Sequence, residues 1–184
     1  MNFKLTLINR ILFTAIVTIL SWAHLAWDYF HGGIPTHYLL HSKDLPGISN
    51  WWGGIVIPLL TWFLLYRIKS KVYAKDINED SNISNQVIYG IIGALIFGIL
   101  LSFFFTIGTD VPGYMMIGLF ILSFFVPIYR AEQLLGFVLG MAYTFGGMLP
   151  ILIGSILVLI FIIDYRVIRA FVVYLISKTT SGKS

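Results

Sequence analysis

Residues 86–107 read QVIYGIIGALIFGILLSFFFTI, and from 81 to 109 the chain carries no Asp, Glu, Lys or Arg. About 20 apolar residues are what a helix needs to cross roughly 30 Å of hydrocarbon. The run lacks the apolar–polar alternation of a barrel strand, and in lipid only a helix or a closed barrel satisfies its own backbone groups. It is therefore read as a transmembrane helix. Similar apolar runs occur at 7–30, 48–68, 112–129, 131–149 and 150–172. The pattern predicts an all-α integral membrane protein, a bundle of about six transmembrane helices forming one domain over 1–184. Only Gly146-Gly147-Met148-Leu149-Pro150 separates the last two runs, so a tight hairpin and a single broken helix are both open.

Composition agrees: the 184 residues are 58% hydrophobic and 11% charged, against about 25% charged in a soluble domain. The absence of cysteine excludes disulfides, thiolate metal centres and cysteine nucleophiles. The net charge of +4 does not imply a nucleic-acid partner, because the basic residues flank the apolar runs instead of forming a stripe.

Their placement predicts orientation. With the N-terminus inside, Lys4, Arg10, Arg67, Lys69, Lys71, Lys75, Arg130, Arg166, Arg169, Lys178 and Lys183 are cytoplasmic and only Lys43 is outside. Both ends are then cytoplasmic, in a multi-pass protein of the inner membrane. Trp22, Trp27, Trp51 and Trp52 fall towards the outer interface, and Tyr66, Tyr89, Tyr129 and Tyr165 towards the inner one. The first run also resembles a signal peptide, with Ser21-Trp22-Ala23 as its cleavage site, but it is expected to stay as the first span. Gly90, Ala94 and Gly98, and likewise Gly136 and Gly140, recur every fourth residue and predict close helix–helix packing. Pro58 and Pro127 are expected to kink the second and fourth helices.

All four histidines lie between 24 and 41, in HLAWDYFHGGIPTHYLLH. At about 100° per residue His24, Asp28 and His31 share one face near the outer end of the first helix. Gly32 and Gly33 end that helix, and Thr36 is expected to cap a short second one carrying His37 and His41 on one side. Imidazoles with one carboxylate and no thiolate suit a divalent transition metal such as Zn, Fe or Cu. The metal ligands are then His24, Asp28, His31 and His37, with Asp110 and His41 as catalytic groups that orient bound water or move protons. The competing interpretation is a polar interface in which Asp28 bonds a neighbouring histidine or backbone; proton relay is a third. A carboxylate at this depth is costly and needs a partner, which weighs towards function. Asp44 lies close by as a further donor, and the segment from Asp44 to Gly54 as a lid or an interfacial anchor.

A second polar pair, Arg130 and Glu132, sits between the fourth and fifth runs, as a solvated helix-end ion pair or as a gate or lipid head-group site. There is no His-Glu-x-x-His, Gly-x-Ser-x-Gly or Walker sequence, and no lysine deep in a span for a Schiff base. The expected function is a metal-dependent hydrolase or oxidoreductase of the membrane, with bilayer lipid around it and a lipid or other apolar small molecule as substrate. A transporter or channel using Asp28 and the histidines for cations or protons is the alternative, and a non-catalytic membrane subunit the third.

Overall fold

The computed structural model describes residues 5–38, 47–75 and 82–181. The chain forms α1 (Leu7–Phe30), a strand pair β1 (Thr36–Tyr38) and β2 (Gly47–Ser49), a 3₁₀ turn (Asn50–Trp52), α2 (Gly53–Lys75), α3 (Asn82–Thr106), α4 (Val111–Phe125), α5 (Ala131–Phe145), α6 (Met148–Ile163), a π turn (Asp164–Ile168) and α7 (Arg169–Ser181). Four helical stretches are long and apolar enough to cross a membrane: Leu7–Phe30, Asn50–Lys71, Asn85–Thr106 and Met148–Thr179. Large apolar side chains such as Ile8, Ile19, Leu59, Phe125 and Leu159 are each more than 60% exposed. A surface of this kind is suited to lipid, not water.

α4 and α5 are shorter, 15 residues each, or about 22 Å at 1.5 Å per residue. Pro127 was expected to kink α4, but α4 ends at Phe125, so the proline lies in the turn. The residue before a proline is pushed out of the helical region, and Val126 is extended with φ −121° and ψ 134°. Pro58 does lie inside α2. Between α5 and α6 Gly146 takes φ 68°, and the two helices fold back on one another as a hairpin.

α5 is the helix the others surround. Leu135 and Val138 are essentially inaccessible, and the faces carrying them pack against α3, α2 and α6. One cluster joins Leu64, Leu65, Ile68, Val87 and Leu135; another joins Leu101, Phe137, Met141, Phe145, Leu157 and Phe161. The glycine seam meets backbone to backbone. A Cβ on Gly98 would lie 2.8 Å from the Phe137 carbonyl oxygen, and one on Gly140 only 3.1 Å from Gly98 Cα. At Gly136 a Cβ would overlap the Ile91 carbonyl oxygen. Small residues thus bring the α3 and α5 backbones together, where dispersion and not hydrophobic burial drives association in lipid.

The helix expected from Thr36 is not formed. Thr36, His37 and Tyr38 pair antiparallel with Ser49, Ile48 and Gly47. These residues favour the extended chain, and the Asn50 N–H donates to the Pro35 carbonyl at 3.0 Å to close the base of the hairpin. His37 therefore sits on a strand, away from any helical pairing with His41, which lies outside the described residues, as does Asp44.

Candidate functional site

α1 presents His24 and Asp28 four residues apart on one face, with His24 Nδ1 3.6 Å from Asp28 Oδ2. Both side chains are about four-fifths buried, at 22% and 18% exposure. The separation exceeds a hydrogen bond, and no described group bonds Asp28 Oδ2, which is itself buried. This carboxylate is oriented towards an imidazole without being satisfied by it.

His31 leaves the face it shares with His24 on a helical wheel. α1 ends at Phe30, and His31 is its C-cap, with φ −117° and ψ 35°. Its ring stacks on Trp27, with centroids 3.8 Å apart and an interplanar angle of 14°, and Nδ1 donates to the Trp27 carbonyl at 2.9 Å. Asp110 is exposed at the N-cap of α4, where its side chain makes no capping hydrogen bond. Among the described residues no group of three or more His, Asp or Glu side chains converges as a metal site. Among the described side chains of the proposed ligand set, the structure brings together His24 and Asp28 alone; the His37 side chain is not among them.

His24 opens onto a cavity of about 630 Å³ between α1, α2, α3 and α5. That volume is typical of small-molecule sites, which span roughly 300–1,000 Å³. Its walls are apolar, with Ile16, Val17, Leu20, Leu95, Leu139 and Ile57 among them. Ser21, His24, Asn50 and Tyr143 are its polar members, and the Tyr143 ring meets the His24 imidazole edge to face, centroids 4.8 Å apart. Among the described residues that line the cavity there is no Lys, Arg, Asp or Glu.

Asn50 is the other polar feature of the wall. It is 5% exposed, and its Oδ1 accepts from the Gly147 N–H at 3.2 Å. This bond ties the 3₁₀ turn before α2 to the α5–α6 turn. Gly146 cannot be replaced without loss there: a Cβ would overlap the Asn50 side chain, and its φ is 68°. Gly53 is equally confined, its Cβ position lying 3.0 Å from Asn50 Oδ1 and 3.1 Å from Gly147 N. Gly53, Gly146 and Gly147 are thus the places where the chain must approach closely around one amide, while Gly54 packs against the Leu25 and Trp22 side chains. The sequence marked Asn50 only as part of a lid or anchor, and Tyr143 not at all. A buried asparagine among glycine pairs was the available signal.

At the other polar pair, Arg130 Nη1 lies 3.9 Å from Glu132 Oε1, and the Glu132 side chain is 4% exposed. A solvated pair is therefore not what forms; Glu132 is buried against α3, where a Cβ on Gly90 would lie 2.9 Å from Glu132 Cγ. Near it Arg166 Nε donates to the Tyr129 hydroxyl at 3.3 Å, Arg169 covers the Tyr165 ring at 4.7 Å, and Tyr129 and Tyr165 lie 5.8 Å apart. Two polar contacts were not foreseen. Ser123 Oγ hydrogen-bonds Asp164 Oδ2 between α4 and the π turn. Arg10, 4% exposed, lies over Trp62 at 4.2 Å and Tyr66 at 5.3 Å, a cation held by two ring faces between α1 and α2.

No protein-family model, curated protein or solved structure matches this chain.

Proposed function

We propose that the protein is a multi-pass enzyme of the inner membrane, with about six spans and both ends in the cytoplasm, that takes a lipid or other chain-bearing apolar molecule sideways into the α1/α2/α5 cavity. The observation that carries this is the cavity itself, apolar along its walls and polar where His24 and Asn50 lie. An apolar lining of this kind suits a substrate partitioned into the bilayer. Asp28 lies on the Nδ1 side of His24; a hydrogen bond closed between them on substrate binding would turn Nε2 to the substrate head for general acid–base work. Catalytic hydrogen bonds are often long in the free enzyme and tighten on binding, so the 3.6 Å separation is compatible with that role.

A metal-dependent form of the same chemistry would use His24 and Asp28 as two donors on one helical face. Transport is less favoured, because the cavity lining includes neither Arg130 nor Glu132. The test is direct. Protein purified in mild detergent is extracted and its apolar contents identified by mass spectrometry, with metal content measured on the same sample. The proposal requires a bound chain-bearing species, displaced when Ala142→Phe fills the cavity, and its consumption by wild type but not by Asp28→Asn. An empty cavity in wild type, or equal contents in Ala142→Phe, refutes it. Near-stoichiometric metal lost in His24→Ala selects the metal form.

A further inference from the structure

A second cavity, of about 330 Å³, lies between α3, α4, α5 and α6. It runs along α3 from Tyr89 to Phe97, about 12 Å of helix, with Leu119 and Phe161 in its apolar walls. Gly93 of α3 also lines it, and that residue is exposed with nothing within 4 Å of its Cβ position. On a helix apolar enough to cross a membrane, an exposed rim of this kind opens to the acyl chains of the bilayer.

One end of the cavity is built on two tyrosines and two arginines. Ile128 is in the wall, and Tyr129 beside it packs against Phe137, Leu157 and Phe161, which are wall residues too. Tyr165 follows Phe161 by one helical turn, and its ring lies 5.8 Å from that of Tyr129. Arg166 Nε donates to the Tyr129 hydroxyl at 3.3 Å, its guanidinium carbon 5.3 Å from the ring centre, while Arg169 lies 4.7 Å over Tyr165. The ring faces thus hold both guanidiniums in place, and stacking leaves N–H groups at their edges for a further partner. Of the described carboxylates at this end, Glu132 faces Arg130 and Asp164 is bonded by Ser123.

A planar guanidinium fork matches phosphate oxygens, and the slot beside it matches a hydrocarbon chain. We propose that this cavity binds an anionic phospholipid, its phosphodiester on Arg166 and Arg169 and one acyl chain along Phe97, Leu119 and Phe161. In the topology proposed above this end faces the cytoplasmic leaflet, whose surface is negative. The site is separate from the His24 cavity and does not depend on what that cavity takes.

Native mass spectrometry of the full chain, given dioleoyl phosphatidylglycerol or dioleoyl phosphatidylcholine at equal concentration, reads the bound lipid directly. The anionic lipid should occupy the protein several-fold more. Arg166→Gln and Arg169→Gln should each weaken its binding roughly fivefold, and Lys178→Gln, an exposed cation further along α7, should change it by less than about twofold. Gly93→Phe fills the slot from its open rim and should displace the lipid, with the melting temperature of each variant measured alongside. Equal occupancy by the two lipids overturns the anionic head. An equal loss in Lys178→Gln and Arg166→Gln overturns the tyrosine-held pair and leaves general surface charge in its place. Unchanged binding in folded Gly93→Phe overturns the seat of the acyl chain. Displacement by inorganic phosphate, but not by potassium chloride of the same ionic strength, overturns the lipid in favour of a free phosphate.

Discussion

Adding one methyl group at Gly98 should loosen the whole bundle, and the size of the effect follows from the α3–α5 seam. A Cβ there would meet the Phe137 carbonyl oxygen at 2.8 Å and Gly140 Cα at 3.2 Å, where ordinary contact begins at 3.4 Å. α5 would have to withdraw by about 0.6 Å along that face, and it is backbone, not a flexible side-chain tip, that must move. Inserting atoms into such a packed contact costs about 1–3 kcal/mol. For a chain of this size each kcal/mol shifts the melting temperature by about 2–4 °C, so Gly98→Ala should melt roughly 2–12 °C lower. Gly93→Ala is the control on the same helix: nothing lies within 4 Å of its Cβ position, and replacing glycine inside a helix stabilises by roughly 0.5–1 kcal/mol. Melting in detergent, followed by size-exclusion chromatography of heated samples, compares the two. Equal melting temperatures for Gly98→Ala and Gly93→Ala would refute the seam.

Four further outcomes are expected. Reporter fusions after residues 75 and 178 should read cytoplasmic and one near residue 43 extracytoplasmic, because the proposed six-span arrangement would put eleven of the twelve Lys and Arg on one side; a cytoplasmic signal at 43 would overturn that topology. Ser123→Ala strands the Asp164 carboxylate and should destabilise by about 1–3 kcal/mol in the same melt, whereas Ser177→Ala, an exposed hydroxyl bonded to its own helix, should change little. Trp62→Leu removes the nearer ring beneath Arg10 and should cost about 0.5–2 kcal/mol; a variant as stable as wild type would show that the cation–π contact contributes nothing. Asp28→Asn should retain the apolar molecule bound by wild type yet no longer convert it, a split that quantifying substrate and product in the extracts will detect.

Apolar run lengths were enough to read the helices because lipid leaves the backbone one way to satisfy itself, and α1 over Leu7–Phe30 follows directly from that constraint. Gly98, Gly136 and Gly140 were legible as contacts because their spacing has a single structural use in a membrane. Reading equal spans from composition went too far at α4 and α5, where Pro127 and the Phe145–Gly146 turn cut the helices to 15 residues. The site was half legible. His24 and Asp28 meet because four residues make one turn. His31 follows the same arithmetic but lies past the last helical residue, where a helical wheel has no meaning, and the Trp27 ring captures it. Thr36–Tyr38 paired with a strand nine or more residues on, a long-range choice that local capping signals do not encode. Asn50 with Gly147, and Ser123 with Asp164, are separated by 97 and 41 residues; nothing in either local sequence names its partner.

The π turn at Asp164–Ile168 interrupts what would otherwise be one helix from Met148 to Ser181. A π turn amounts to one residue inserted into an α-helical ladder, and it offsets everything after it by about 100° around the axis. Up to that point the helix buries Pro150, Gly154, Leu157 and Phe161 against the bundle; beyond it Arg169 reaches Tyr165, and the residues described in α7 are exposed or half-buried. Deleting a single residue between 164 and 168 would therefore preserve helical hydrogen bonding while swinging α7 by more than a quarter of a turn. In this chain the length of five residues, more than their identity, sets which side of the last helix the arginine presents.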